Sequence, residues 1–345
     1  MKKLYFPFVL LIEIVILGAF IAWLVYMFPT LDPDNYLFYG DAPHEPYLEQ
    51  YIDHTAVTVI RWFFYVFTAV MMLSMMFTIL GELIRWWLNH GRKGEPYNAL
   101  PGSPKEEQVE RFRNPFKLWH YLVMIGMTLA GIIGLLQAFP DWGPGQSFFN
   151  AIGLDTARNF HHYFAYLVDF TIVYFIIYFF YQIIIKKRRM FSMLPTLKDI
   201  RDAIDMNLYI LGLKENEPQY SRFTFGQKID FFLVLIGAPT LTVTGLAMHY
   251  TQFSEPVIGG LGIAICVVIH RNVALFLAWL IISVHIYYAH LAPGFFPMNP
   301  VILTGKMPVS RYRVLYPLDS EPVIMKQLEK TVEKIKSGEV VTGNE

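Results

Sequence analysis

The sequence is poor in cysteine and in charged residues. Its 345 residues include one cysteine, Cys266, and only 16% are charged, whereas 54% are hydrophobic and 17% aromatic. A single cysteine excludes an internal disulfide, covalent haem attachment through C-x-x-C-H and a Cys-ligated iron–sulfur cluster. The scarcity of charge and the long apolar runs exclude an ordinary soluble domain and indicate a polytopic membrane protein.

Six apolar segments are long enough to cross a bilayer, whose hydrocarbon core is about 30 Å thick. They cover residues 5–28, 57–80, 118–139, 161–185, 230–250 and 261–289. The fold class they predict is all-α, with six transmembrane helices.

The charges in the connections predict the orientation. All but three of the 28 lysines and arginines lie at the start of the chain, in 81–117, in 186–228 or after residue 290, whereas 29–56 is acidic and has none. The positive-inside rule therefore predicts that both termini are cytoplasmic. The acidic segment 29–56 then lies outside, as a docking surface or simply a solvated loop.

Four histidines lie near the ends of the spans at matching depths. His270 and His285 are separated by about 22 Å along one helix and point in roughly the same direction. His120 lies at the depth of His285 on the cytoplasmic side, and His161 at the depth of His270 on the outer side. Facing imidazoles from different helices are ligands for a b-type haem. The sequence therefore predicts two haems b, with His120 and His285 holding the inner iron and His161 and His270 the outer one.

Residues 111–290 resemble the cytochrome b (gamma) subunit of membrane-bound formate dehydrogenases and its hydrogenase and thiosulfate-reductase relatives, a b561-like group. The motifs are FRNPFKLWHYLV with GIIGLL, ARNFHHYF, SRFTFGQKIDFF with TVTGLAMH, and IHRNVALF with SVHIYY. The resemblance implies a four-helix di-haem core, and Arg158 in the second motif favours His161 over His162 as the ligand. The family pattern separates the two histidines of the last helix by fourteen residues, where this chain has fifteen.

The chain then divides into four parts. Two added transmembrane helices and their acidic periplasmic loop occupy 1–90, a Pro-, Gly- and charge-rich cytoplasmic linker 91–110, the di-haem core 111–290 and a cytoplasmic tail 291–345. Within the core, the segment from Pro195 to Leu213 predicts an amphipathic helix that lies on the membrane or on the helix ends. The end of the tail, 325–345, is expected to be a short charged helix without chemistry.

The resemblance also implies a quinone site beside the inner haem, formed by His285, Gly226 and Gln227. Thr224 stands where the family pattern has Asn, and its hydroxyl can donate a hydrogen bond to a quinone carbonyl. Menaquinone is the expected quinone. The implied partner is a periplasmic iron–sulfur protein or multihaem cytochrome c.

Charged residues within or beside the spans have two interpretations each. Arg61, Arg158 and Arg271 lie at the outer surface, where they either pair with haem propionates or anchor the interface. Glu13 and Asp169 lie inside spans, where they either relay protons or pair with a neighbour.

The function predicted is electron transfer across the bacterial inner membrane, between a periplasmic redox partner and the quinone pool. Membrane lipid is expected to surround the protein, and no nucleic acid is expected to bind it. Two alternatives remain open. The first is a haem-free anchor or transporter, which would have no Soret band. The second is a transmembrane ferric or ascorbate reductase of the b561 type.

Overall fold

The computed structural model describes residues 5–28, 50–51, 54–93, 106–139, 143–187 and 191–319. Within these ranges the chain is almost entirely helical, with one small antiparallel sheet. Six of the described helices are long and apolar enough to cross a membrane. The prediction of an all-α polytopic membrane protein is confirmed.

The helices are numbered along the chain. They are α1 Tyr5–Met27, α2 Thr55–Asn89, α3 Asn114–Ala138, α4 Gly143–Ile152, α5 Leu154–Phe180, α6 Leu197–Ile210, α7 Phe225–His249, α8 Thr251–Trp279, α9 Val301–Thr304 and α10 Val309–Leu315. The strands β1 Gln108–Glu110 and β2 Lys306–Pro308 pair in antiparallel register. The candidate spans are α1, α2, α3, α5, α7 and α8, of which α5 continues to Ile185 and α8 to Leu291.

Most of the helices extend further than the apolar runs that predicted them. Helix α2 continues to Asn89 and α5 begins at Leu154, since hydropathy marks the membrane-embedded part and not the polar turns at the ends. Helix α8 is interrupted at Gly259, whose positive φ of 69° and ψ of 170° are not helical. Glycine adopts this conformation without steric cost.

The two N-terminal helices pack directly on the core helices. Phe20 of α1, Met72 and Ile79 of α2, and Leu277 and Leu280 of the last span belong to one buried cluster. Met72 lies in the methionine-rich stretch of α2, where its flexible side chain fills this packing interface.

The C-terminal end of the linker and the start of the tail form a small cap. Strand β1 pairs with β2, and Val109, Met307 and Tyr312 lie in one buried cluster. The Arg111 guanidinium is buried among aromatic rings, 4.1 Å from the Tyr316 ring centre. The composition of the linker did not reveal this strand. The tail segment 325–345 lies outside the described residues.

Helix α6 is the predicted amphipathic helix, and its polar face is the one that packs inward. Thr196 caps its start in a reciprocal capping box with Asp199. Asp199 is buried and its carboxylate lies 2.9 Å from Nζ of Lys228 in α7. Leu197 and Ile200 are exposed. An outward apolar face is suited to the membrane interface.

Candidate functional site

His120 and His285 face each other across the bundle at one end. His120 comes from the first turns of α3, and His285 from the end of the last span. Their ring centres are 6.0 Å apart and the planes differ by 28°. The Nδ1 atom of His285 lies 2.6 Å from Oδ2 of Asp230 in α7. The Nδ1 atom of His120 is buried and has no hydrogen-bond partner in the described part of the chain.

His161 of α5 and His270 of α8 form a second facing pair at the other end. Their ring centres are 6.3 Å apart and the planes are inclined by 70°. Nδ1 of His161 lies 2.9 Å from the backbone oxygen of Ala130, and Nδ1 of His270 lies 3.0 Å from the Thr244 hydroxyl. Each ring is therefore held by a neighbouring helix.

In both pairs the separation of the ring centres matches that of two imidazoles that share one iron. Metal–imidazole bonds are about 2 Å long, so two rings that share one metal have their centres roughly 6 Å apart. Hydrogen bonds on Nδ1 orient His161, His270 and His285 in the manner of metal ligands, which present the other ring nitrogen. The residues present therefore fit two bis-histidine haems.

Glycines make room for the imidazoles of the His161–His270 pair. A Cβ at Gly134 would lie 3.0 Å from Cε1 of His161, and a Cβ at Gly245 would lie 3.2 Å from Cε1 of His270. Both contacts are tighter than an ordinary van der Waals contact. The GIIGLL motif thus places a glycine where a larger residue would crowd the ring.

A wide turn accounts for the spacing of fifteen residues between His270 and His285. Residues Leu280–His285 form a π-helical stretch at the end of α8. Such a stretch accommodates an additional residue within an α-helix and is frequent at functional sites. The chain can therefore carry one residue more than the family pattern and still direct both rings into the bundle.

The neighbouring His162 lies in a different environment. Its ring centre is 4.1 Å from that of His249, the last residue of α7. His161, by contrast, is the one that faces His270. The two adjacent histidines thus face different partners, and the assignment of His161 as the haem ligand stays a prediction.

The three arginines have separate surroundings. Arg158 pairs with Asp155 at 3.6 Å, and Arg271 donates to the backbone oxygen of Ala138 at 2.5 Å. Arg61 is buried on α2. Their contact with haem propionates stays a prediction.

The two carboxylates inside spans differ from each other. Asp169 accepts a hydrogen bond of 2.6 Å from Thr242, which matches the pairing interpretation. Glu13 is 1% exposed, and within the described residues neither of its carboxyl oxygens has a hydrogen-bond partner.

Thr224 and Gln227 bond mainly to each other at the start of α7. The Thr224 hydroxyl accepts from the Gln227 amide at 3.2 Å, and the Gln227 side chain accepts from the Thr224 amide at 3.1 Å. This capping box needs Thr or a similar residue at 224. Nε2 of Gln227 is directed at the Tyr316 hydroxyl, 3.4 Å away. The predicted quinone role of both residues stays a prediction.

Several residues of the site were missed by sequence reasoning. Asp230 is hydrogen-bonded to His285, and Tyr316 lies beside Gln227. The Tyr288 ring packs against Gly226, and its hydroxyl donates to Glu82. Asp230 carried a usable signal, because it is a charge at the edge of an apolar span, one turn after Gln227. Glu82 carried none, since its place beside the core depends on how α2 packs.

A membrane-embedded helical bundle with facing imidazole pairs has the architecture of a membrane cytochrome b. The family model of prokaryotic cytochrome b561 matches residues 111–296, more than half of the chain, and the protein belongs to this family. The resemblance to b561-like cytochromes b is thereby confirmed. Membership implies an inner-membrane protein that binds haem b and takes part in transmembrane electron transfer. Among curated proteins, no sequence matches the chain significantly.

Proposed function

We propose that the protein carries two haems b and transfers electrons between a periplasmic redox partner and the quinone pool. The observation that supports this most strongly is the presence of two facing imidazole pairs, which share the last span through His270 and His285. One electron carrier at each end of a span provides a route across the bilayer.

Haem b would supply one-electron redox chemistry when bound. The chain's own residues would hold and tune it. His120 and His285 would bind the inner haem, and His161 and His270 the outer one. Asp230 would orient His285 and increase its basicity, as carboxylates do for metal-bound histidines.

The inner end is the proposed place of quinone reaction. Gly226 carries no side chain, and a Cβ there would lie 3.6 Å from the ring of Tyr288. The Tyr288 hydroxyl and Nε2 of Gln227 bring hydrogen-bond donors to this end of the bundle. An apolar site with a few placed donors suits a quinone. Menaquinone is the proposed form.

The outer end is the proposed place of partner docking, with both termini in the cytoplasm. The partner would be an iron–sulfur protein or a multihaem cytochrome c. The acidic segment 29–56, a candidate docking surface, lies mostly outside the described residues. Its lack of basic residues supports this orientation.

The experiment is a spectroscopic assay of the purified protein in lipid nanodiscs. Menadiol, a soluble analogue of menaquinol, should reduce the haems and intensify their α-band absorbance. Reduction by ascorbate, with no response to menadiol, would contradict the proposal and favour the b561-type reductase. The absence of any Soret band would contradict both and favour a haem-free anchor.

A further inference from the structure

Helix α2 lies outside the matched family region, yet it brings a carboxylate to the inner end of the core. The Tyr288 hydroxyl donates a hydrogen bond of 3.1 Å to Oε1 of Glu82. Both side chains are partly buried. An acid at the edge of an apolar span is costly to maintain unless it is paired or used.

Tyr288 links this acid to the proposed quinone site. It follows His285 by three residues, hence by about one helical turn. Its ring also covers Gly226, where a Cβ would be 3.6 Å from Cε2. The phenol therefore lies between Glu82 and the residues predicted to border the quinone.

Other titratable groups lie within electrostatic range of Glu82. Tyr287 and Tyr220 are close enough to interact with it electrostatically. Glu217 also interacts with Glu82, and it is exposed on the loop between α6 and α7. Burial, with the nearby carboxylates, raises the pKa of Tyr220 and keeps that phenol protonated. Glu217 is therefore an exposed acid within electrostatic range of Glu82.

We propose that Glu82 and Tyr288 form a proton relay between the quinone and the cytoplasm, supplied to the core by the added helix α2. The proposal rests on the proposed quinone function. It assigns a purpose to a helix that the family core does not include.

A quinone takes up two electrons, which come from the periplasmic redox partner, and two protons to become a quinol. For each proton, the Tyr288 hydroxyl turns from Glu82 toward the quinone, and its O–H bond breaks as an O–H bond forms on a quinone oxygen. The carboxylic acid of Glu82 simultaneously donates its proton to the Tyr288 oxygen. The resulting Glu82 carboxylate then takes up a proton from cytoplasmic water by way of Glu217. Quinol oxidation uses the same steps in reverse.

The test uses the full-length, haem-loaded protein in nanodiscs with menadiol as the electron donor. Glu82→Gln keeps a hydrogen-bond acceptor for Tyr288 but exchanges no proton, and Tyr288→Phe removes the phenol. Both should slow haem reduction roughly 100-fold, the scale of a lost proton-transfer group. Glu82→Asp should restore most of the rate. Glu215→Gln is the matched control, because Glu215 is an exposed acid in the loop that also carries Glu217. This variant should react like the wild type.

An infrared readout separates the relay from a structural role. Reduced-minus-oxidised difference spectra should contain a carboxylic acid C=O band that Glu82→Gln removes while the haem absorbance stays intact. Wild-type rates in Glu82→Gln and Tyr288→Phe, or an unchanged band, would overturn the relay and leave the proposed function standing. A wild-type protein that does not react with menadiol would overturn both. If Glu82→Gln does not retain haem, Tyr288→Phe and Glu82→Asp decide the outcome.

Discussion

The carboxylate of Asp230 lies 2.6 Å from Nδ1 of His285, whose ring faces His120. The corresponding groups in the outer pair are neutral, namely the backbone oxygen of Ala130 and the hydroxyl of Thr244. A carboxylate makes a ligating imidazole more basic and favours the oxidised metal. The two candidate haem sites therefore differ in their electrostatics, although both are bis-histidine.

Asp230→Asn should raise the midpoint potential of the inner haem. The expected increase is about 60 mV, which corresponds to roughly 1.4 kcal/mol for a one-electron couple. A spectroscopic redox titration measures it. Asp205→Asn, which removes a surface carboxylate paired with Lys214, should leave both potentials unchanged. A shift confined to the outer haem would contradict the assignment.

Removing one histidine from each pair should remove one haem at a time. His120→Ala should eliminate the inner haem and His270→Ala the outer, since each ligand pair is formed by separate rings. Pyridine haemochrome quantitation against protein concentration checks this, with electron paramagnetic resonance to identify the remaining haem. If either substitution removed both haems or neither, the pairing would be wrong.

Gly134 and Gly131, which both lie on α3, provide a matched steric test. A Cβ at Gly134 would lie 3.0 Å from His161, whereas a Cβ at Gly131 would have no atom within 4 Å among the described residues. Gly134→Val should therefore lower the occupancy of the outer haem, because overpacking typically costs about 1–3 kcal/mol. Gly131→Val should retain both haems. Equal haem content in the two variants would show that Gly134 does not make room for the ring.

The buried ion pair between Asp199 and Lys228 should matter for stability. Lys228→Met leaves a carboxylate that is 3% exposed without its cation, at a cost of about 3–5 kcal/mol. Thermal unfolding followed by Soret absorbance measures the loss. Lys214→Met breaks a more exposed pair with Asp205 and should cost less than about 1 kcal/mol. Equal losses in the two variants would contradict the account.

The same pair predicts a pH dependence. Burial raises the pKa of Asp199, but hydrogen bonds from Thr196 and Lys228 outweigh it and hold the pKa below its ordinary value. A lowered folded-state pKa gives stability that is present above the ordinary carboxyl pKa, about 3.9, and is lost as the pH falls through the folded-state pKa. The wild type should therefore lose stability below about pH 4 by a larger amount than Lys228→Met does. Parallel stability curves in acid would contradict this.

The sequence predicted the six helices and the two imidazole pairs because both depend on local periodicity and depth. Membrane thickness fixes the length of an apolar helix, and positive-inside topology fixes which ends share a side. In the structure the rings of His120 and His285 face each other, as do those of His161 and His270. Their binding of iron is a prediction that the haem experiments test.

The partners of these histidines could not be predicted in the same way. Asp230 and Thr244 reach their rings through the rotation of α7 relative to the last span, and Glu82 reaches Tyr288 through the packing of α2. Rotation and packing depend on contacts between helices, which the apolar pattern of one helix does not specify. The Thr224–Gln227 box is different, because the T-x-x-Q pattern is a local capping signal.

The haem content of the purified protein tests the central claim most directly. The protein should be extracted in mild detergent, and its haem b quantified by pyridine haemochrome against protein determined by amino-acid analysis. The account predicts two haems b per chain, with two separable midpoint potentials in the redox titration. One haem per chain, or none, would contradict it.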